Sequence, residues 1–181
     1  MRNKVRIIGG EWRSRVLTFP NRADLRPTPD RVRETVFNWL GQDMSGKRCL
    51  DLFAGSGAMG FEAASRGAAE VVMVESNAEV LKALKANSQK FGAERIKLAA
   101  MDALKFIDSD QNHFDVIFLD PPYRLGLLPI LLPKLHAHLA QEGLVYLEND
   151  SPFESGADWL VWRKGQAGKA HYQLLKSERN E

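Results

Sequence analysis

The chain has 181 residues, 44% of them hydrophobic, which is enough to bury one core and predicts a single domain. Charged residues are at an ordinary level, glycine and proline together number 22, and no apolar run nears the ~18 residues of a membrane helix. Disordered and fibrous classes and a membrane-spanning helix are thereby excluded. The net charge of +2 hides a division: residues 1–33 carry nine basic and three acidic groups, a net of +6, and the other 148 residues a net of −4. Eight of those nine cations are arginine, the side chain suited to bidentate phosphate contact, so a nucleic-acid-binding arm competes with a merely solvated basic face. The basic start Met1-Arg2-Asn3-Lys4-Val5 leads into no long apolar segment, so no secretory signal and a cytoplasmic location are expected. A lone Cys49 leaves no disulfide framework and no cysteine-cluster zinc site.

Residues 5–8 and 16–19 are short apolar stretches around Gly9-Gly10-Glu11-Trp12-Arg13-Ser14-Arg15, which predicts a β-hairpin with an Arg- and Trp-bearing connection. Turn formers fill residues 20–29. Residues 30–40 predict a helix, with Val32, Val36, Phe37 and Leu40 at helical spacing and Asp30 at the end where the helix dipole favours it. From Lys47 the pattern alternates. Strands are predicted at 48–53, 70–75, 96–100, 114–119 and 144–148, and helices at 58–66, 78–91, 103–107 and 125–139. This is an α/β fold, a mostly parallel sheet with helices on both faces. Residues 159–163 and 171–175 flank Gly165-Gln166-Ala167-Gly168 and predict an antiparallel hairpin closing one sheet edge. The chain thus reads as a basic extension, 1–25, on a body of 26–181. Leu127, Leu128, Leu131, Leu132, Leu135 and Leu139 form a core stripe. His113, His136, His138 and His171 lack metal-ligand spacing and read as surface or edge residues, and Cys49 as a buried small apolar one.

Asp51-Leu52-Phe53-Ala54-Gly55-Ser56-Gly57-Ala58-Met59-Gly60 follows the first parallel strand and opens a helix. Its G-x-G-x-x-G lets backbone approach a ligand, and Glu75 ends the second strand where a carboxylate accepts both hydroxyls of a ribose. That pair alone fits a nicotinamide fold. Asp51 points elsewhere, because a carboxylate there repels a pyrophosphate and attracts the ammonium of an amino acid. S-adenosylmethionine carries an ammonium, a ribose and an adenine, and no phosphate. Asp102, two residues past the third strand, can meet the adenine amine, cap the next helix, or do both.

The buried strand 114–119 ends at Asp120-Pro121-Pro122-Tyr123. Two prolines stiffen the loop and lack N–H groups, Asp120 adds an acceptor, and Tyr123 adds a flat apolar face. A planar exocyclic amine has its lone pair delocalised into its ring. Acceptors on both of its protons localise that pair and aim it at an activated methyl group. Both loops leave strand carboxyl ends beside the expected topological switch point.

Residues 51–60 with Asp120–Tyr123 resemble the amino-methyltransferase signature of class I, Rossmann-like, S-adenosylmethionine-dependent enzymes. Arg6-Ile7-Ile8-Gly9-Gly10-Glu11-Trp12-Arg13 and Arg26-Pro27-Thr28-Pro29-Asp30-Arg31-Val32-Arg33-Glu34-Thr35-Val36-Phe37-Asn38-Trp39-Leu40 resemble the RsmD family, bacterial methyltransferases of the N2 amine of one guanine in 16S ribosomal RNA. The likeness runs over nearly the whole chain, through Gly168-Lys169-Ala170-His171-Tyr172-Gln173-Leu174. It implies that Asp51, Gly55 and Gly57 hold the methionine part of the cofactor, with Phe53 in the same set. Glu75 would hold the ribose, and Asp102 with Ala103 the adenine edge. Asp120, Pro121 and Tyr123 would hold the target guanine. Arg6, Trp12, Arg13, Arg15, Arg26 and Arg33 would contact RNA, with Trp12 stacking on a base or packing locally. The implied partner is 16S RNA in an assembled or partly assembled small subunit, met by a monomer without metal or membrane. Ser14 departs from the glycine expected in the Trp-Arg-Gly-Arg turn of the family. Three other readings compete: a DNA adenine-N6 methyltransferase served by the same tetrapeptide, a nicotinamide oxidoreductase on the same glycine loop, and a non-catalytic RNA-binding module.

Overall fold

A computed structural model describes residues 3–122 and 125–179. Strands β1 (Asn3–Arg6) and β2 (Val16–Phe19) form a separate antiparallel hairpin, followed by α1 (Asp30–Leu40). The body then runs β3 (Arg48–Asp51), α2 (Ala58–Ser65), β4 (Glu70–Glu75), α3 (Ala78–Phe91), β5 (Ile96–Ala100), α4 (Ala103–Ser109), β6 (Phe114–Leu119), α5 (Leu128–Leu135), β7 (Leu139–Asn149), β8 (Trp159–Ala167) and β9 (Ala170–Ser177). The sheet order is β5-β4-β3-β6-β7-β9-β8; β3 to β7 are parallel, and β9 inserts antiparallel between β7 and β8. The order reverses between β3 and β6, which leaves a crevice at their carboxyl ends.

One apolar cluster covers the face carrying the hairpin, α1, α2 and α3, and includes Val5, Leu17, Val36, Phe37 and Phe61. The other holds Phe106 and Ile107 of α4, Leu131 and Leu135 of α5, and Trp159. Helices on both faces are thus realised, and α1, α3, β4, β5 and β6 keep their expected bounds. Among the described residues no helix is long and apolar enough to cross a membrane.

Strand β1 sits two residues earlier than expected, β3 stops at Asp51 and α2 at Ser65, and α4 runs on to Ser109; three larger departures have local reasons. The helix expected at 125–139 shrinks to α5 and a 3-10 turn at His136–His138: Gly126 is left-handed (φ 58°), and Pro129 and Pro133 each remove a helix donor. Strand β7 starts five residues early, because Glu142 adopts φ 62° and a bulge between Phe114 and Val116 absorbs the polar Gln141-Glu142 stretch. The closing hairpin is longer than expected, and its turn tightens to Gly168-Lys169. His136 and His138 also differ from a surface reading. Both are buried; His136 stacks on Trp159 with ring centroids 4.0 Å apart, and its Nδ1 lies 2.6 Å from Ser177 Oγ. Cys49 is buried, and burial pushes its thiol up to about 12.

The hairpin is tied to the body by an ion-pair knot. Glu62 on α2 is fully buried; Oε1 accepts from Ile8 N (2.9 Å) and Arg33 Nη1 (3.0 Å), and Oε2 from Gly9 N (3.0 Å) and Arg66 Nε (2.9 Å). Arg33, equally buried, also donates to the Thr28 carbonyl (3.1 Å), the Arg6 carbonyl (2.9 Å) and Asp30. One guanidinium therefore joins β1, the segment before α1, α1 itself and α2. Such a pair resists disruption, since removing either partner strands a buried charge.

Candidate active site

A cavity of about 350 Å³ opens at the carboxyl ends of β3, β4 and β6. Seven residues expected to form the site line it: Asp51, Phe53, Gly55, Glu75, Asp102, Ala103 and Asp120. Gly57 does not line it and shapes it from behind. It sits at φ 83° before α2, where a Cβ would fall 2.6 Å from Phe61 and 2.8 Å from Leu84. Pro121 is buried, while its neighbour Pro122 reaches the cavity wall. Tyr123 lies outside the described residues.

Each carboxylate is placed by the loop it belongs to. Asp51 ends β3 and is only 4% exposed; its Oδ2 accepts the Gly60 N–H at 3.1 Å. Burial, opposed by that hydrogen bond and reinforced by the charge of Glu75, raises its pKa from 3.8 to about 7. Glu75 ends β4 and accepts from Gly55 N and Asn77 N, each at 3.0 Å. Asp102 caps α4 through Oδ2, to Leu104 N (3.1 Å) and Lys105 N (3.3 Å), so its capping reading holds, and it lines the cavity as well. Asp120 is half-buried, and its proton affinity is raised well above the carboxylate norm by burial, then by the adjacent Glu148 and by Asp51.

The loop's own side chains occupy donors that a pyrophosphate would need. Gly60 N is held by Asp51, Gly55 N by Glu75, and Ala58 N by Ser56 Oγ at 3.2 Å. The nicotinamide reading thereby loses its phosphate cradle. The acceptor set fits a cationic ligand with vicinal hydroxyls and an aromatic amine.

Sequence reasoning missed part of the wall. Leu25, Pro27 and Thr28 of the Arg-Pro-Thr segment form one side, and Phe118 and Tyr146 form the floor. Behind them Glu148 of β7 accepts from Thr28 Oγ1 (3.2 Å) and Tyr146 Oη (3.4 Å). The signal for Glu148 was available: β3, β4, β5, β6 and β7 each end at or beside an acid, namely Asp51, Glu75, Asp102, Asp120 and Glu148.

The residues expected to meet RNA separate into three groups. Arg6, Arg13 and Arg15 are exposed on the hairpin, Arg15 lying 4.3 Å over the Phe91 ring. Arg26 is exposed at the cavity wall beside Arg22, which pairs with Asp24 and Glu79. Arg33 and Trp12 are corrections. Arg33 is committed to the buried knot, and Trp12, 4% exposed, packs on Phe91 (5.4 Å) and Phe61 (6.4 Å), so neither is available to a nucleic acid. An arginine at helical spacing on the apolar face of α1 signals the first. Ser14 adopts φ 68° in a bulge where its N–H donates to Ile7 O (2.9 Å), a conformation that glycine takes without strain.

Comparison with known proteins agrees with this architecture. The family model described as conserved hypothetical protein 95 matches residues 5–176. Ribosomal RNA small subunit methyltransferase D of Escherichia coli K12 is 40% identical over 97% of this chain and 91% of that protein. The protein of the same name from Haemophilus influenzae is 39% identical over 97% and 95%. The solved structure of yhhF from Escherichia coli superposes with a TM-score of 0.88 at 39% identity, covering 98% of this chain and all of that one. On a match this long, the chain belongs to the conserved hypothetical protein 95 family, that of the RsmD methyltransferases.

Proposed function

We propose that this protein transfers a methyl group from S-adenosylmethionine to the exocyclic N2 amine of a guanine in 16S ribosomal RNA. The observation that carries the reading is the junction in one cavity of an acidic cofactor cradle, Asp51 and Glu75, with the half-open Asp120. S-adenosylmethionine, when bound, supplies a methyl group on a sulfonium, which needs no further activation by the protein. Asp51 meets the ammonium, Glu75 the ribose hydroxyls, and Asp102 with Ala103 the adenine edge, while Phe53 and Gly55 line the path between them.

Asp120 positions the substrate. Asp120 and the Pro121 carbonyl supply the two acceptors that a planar amine needs. Held by both protons, the amine turns its lone pair toward the methyl group. By the family resemblance, Tyr123 belongs with Asp120 and Pro121 to the guanine-binding residues. Arg6, Arg13, Arg15 and Arg26 supply the phosphate contacts, and the basic extension 1–25 acts as the RNA-binding part of a cytoplasmic monomer working on assembled or partly assembled small subunits.

The test is transfer of tritiated methyl from S-adenosylmethionine to small subunits from a strain lacking the activity, followed by nucleoside analysis. N2-methylguanosine in 16S RNA is expected. Methyladenine in DNA, or no incorporation by a protein shown to bind the cofactor, overturns the substrate assignment.

A further inference from the structure

The Arg-Pro-Thr segment reaches from the knot around Arg33 into the cavity and ends on a carboxylate that the reaction scheme above leaves unused. Thr28 and Glu148 are both buried, at opposite ends of the chain, and joined by the 3.2 Å bond from Thr28 Oγ1 to Glu148 Oε2. Tyr146, buried in the cavity floor, donates to the same oxygen at 3.4 Å. The parallel register of β6 on β7 pairs Leu119 with Leu147, so Asp120 and Glu148 are the next positions on neighbouring strands, and Glu148 raises the proton affinity of Asp120. Two carboxyl groups in such contact share a proton. With Thr28 and Tyr146 as fixed donors, Glu148 is the natural acceptor, and Asp120 donates to it through one oxygen.

We propose that Glu148 is a positioning residue that completes a proton relay: it orients Asp120 so that its outer oxygen faces the substrate amine, and takes up the inner proton of Asp120 as the product amine is deprotonated. The inference rests on the amine-methyltransferase reading. The amine lone pair forms the N–C bond as the methyl leaves the sulfonium, and the sulfur keeps the bond pair. The methylated amine is then a cation. It gives one N–H proton to the outer oxygen of Asp120, and the N–H bonding pair returns to nitrogen. The inner proton of Asp120 passes to Glu148. The pair thereby goes from one negative charge to none, and the proton reaches solvent when product leaves.

The groups facing Glu148 bear this out. Asp120 from β6 holds its proton because it is buried and because Glu148 and Asp51 are like charges beside it. Tyr146 is kept protonated by burial and by the same two carboxylates, Glu148 and Asp120, so it serves only as a donor. Across the strand pair from Glu148 lies Tyr172 of β9, stacked on Trp39 with ring centroids 5.6 Å apart. Arg33 donates to the Thr28 carbonyl and is neutralised by Glu62 and Asp30. Arg26 and Arg22 line the same cavity, Arg22 paired with Asp24 and Glu79, and among the described residues neither Glu148 nor Asp120 forms an ion pair.

The experiment compares wild type with Glu148→Gln, Thr28→Val and Thr28→Ser. Glu148→Gln is expected to lower single-turnover methyl transfer on the order of 100-fold, to leave cofactor affinity by calorimetry within a few-fold, and to move the pH profile toward lower pH. Thr28→Val lowers the rate in the same sense, and Thr28→Ser recovers most of that loss. A readout independent of activity is the carbon-13 carboxyl titration of Asp120 in the ligand-free protein. It is expected above the usual carboxylate range in wild type and lower in Glu148→Gln. A pH profile superimposable on wild type, or an Asp120 that titrates alike in both proteins, overturns the relay. Absence of methyl transfer in wild type would instead overturn the functional reading, and the Asp120 titration would still decide whether the pair exists.

Discussion

Asp51→Asn separates what the cavity does for folding from what it does for binding. Asparagine keeps the size of the side chain and the acceptor for the Gly60 N–H, and removes only the charge. In the ligand-free protein that charge is a liability, since burial lifts the Asp51 pKa from 3.8 to about 7. The folded chain therefore binds a proton more tightly than the unfolded chain. Stability is full below the unfolded value near 3.8 and falls as pH rises through 7. A rise of about 3 pH units at about 1.4 kcal/mol each puts the cost of an ionised Asp51 at about 4 kcal/mol above pH 7. Asp51→Asn is thus expected to match wild type at pH 4 and to exceed it at pH 8 by about 4 kcal/mol, or roughly 10 °C at 2–4 °C per kcal/mol for a domain of this size. The opposite holds with ligand. An ammonium beside Asp51 repays its ionisation, so wild-type affinity for S-adenosylhomocysteine should climb through pH 7, and its ligand-induced rise in melting temperature should vanish in the variant. Melting curves from pH 4 to 8, with and without that ligand, read all of this. A variant-to-wild-type difference independent of pH would refute the titration argument. An undiminished ligand shift would refute the ammonium contact.

Asp120→Ala should cut single-turnover methyl transfer on the order of 100-fold or more while calorimetry finds cofactor affinity within a few-fold; equal losses in both would contradict its place on the substrate side. Glu62→Gln turns an amide nitrogen toward backbone or guanidinium donors and should cost about 3–5 kcal/mol in urea denaturation; a loss under about 1 kcal/mol would mean the knot is not holding the hairpin. Ser14→Gly should gain about 0.5–1 kcal/mol, because glycine takes the left-handed turn without the Cβ penalty; a lower urea midpoint would speak against a strained Ser14. Arg13→Ala and Arg15→Ala should each reduce the salt slope of RNA binding by about 1. An unchanged slope would remove the hairpin from the phosphate contacts.

Much of the molecule was legible in the sequence because its signals are local. Helix α3 carries Asn77 as a cap accepting from Val80 N, helical apolar spacing and Gly92 at φ 62° after its end, so both bounds could be read directly. The loops after β3, β4 and β6 announced themselves by glycine, acid and proline in the right order. What stayed hidden depends on contacts far apart in the chain. Arg33 reads as one more basic residue of an arm until Glu62, 29 residues later, is known to lie against it. Trp12 reads as a base-stacking or a locally packed ring alike until Phe61 and Phe91 are known to close around it. Glu148 meets Thr28 across 120 positions, which no periodicity can announce.

The acids at the strand ends carry the argument one step further. Folding alone gains little by setting Asp51 and Asp120 among further acids, since burial and neighbouring like charge raise the proton affinity of these two and destabilise their ionised state. The chain has cations to hand and uses them elsewhere: Arg33 and Arg66 neutralise Glu62, which holds only structure. That contrast distinguishes the two buried acidic centres. Where a carboxylate serves the fold, arginines neutralise it within the chain. Where it serves chemistry, it is left to backbone N–H groups and hydroxyls, as Asp51 is by Gly60 and Glu148 by Thr28 and Tyr146. The missing positive charge must then arrive with the ligand. On the proposed reading, a sulfonium with an ammonium brings it to Asp51, and a newly methylated amine brings it to Asp120.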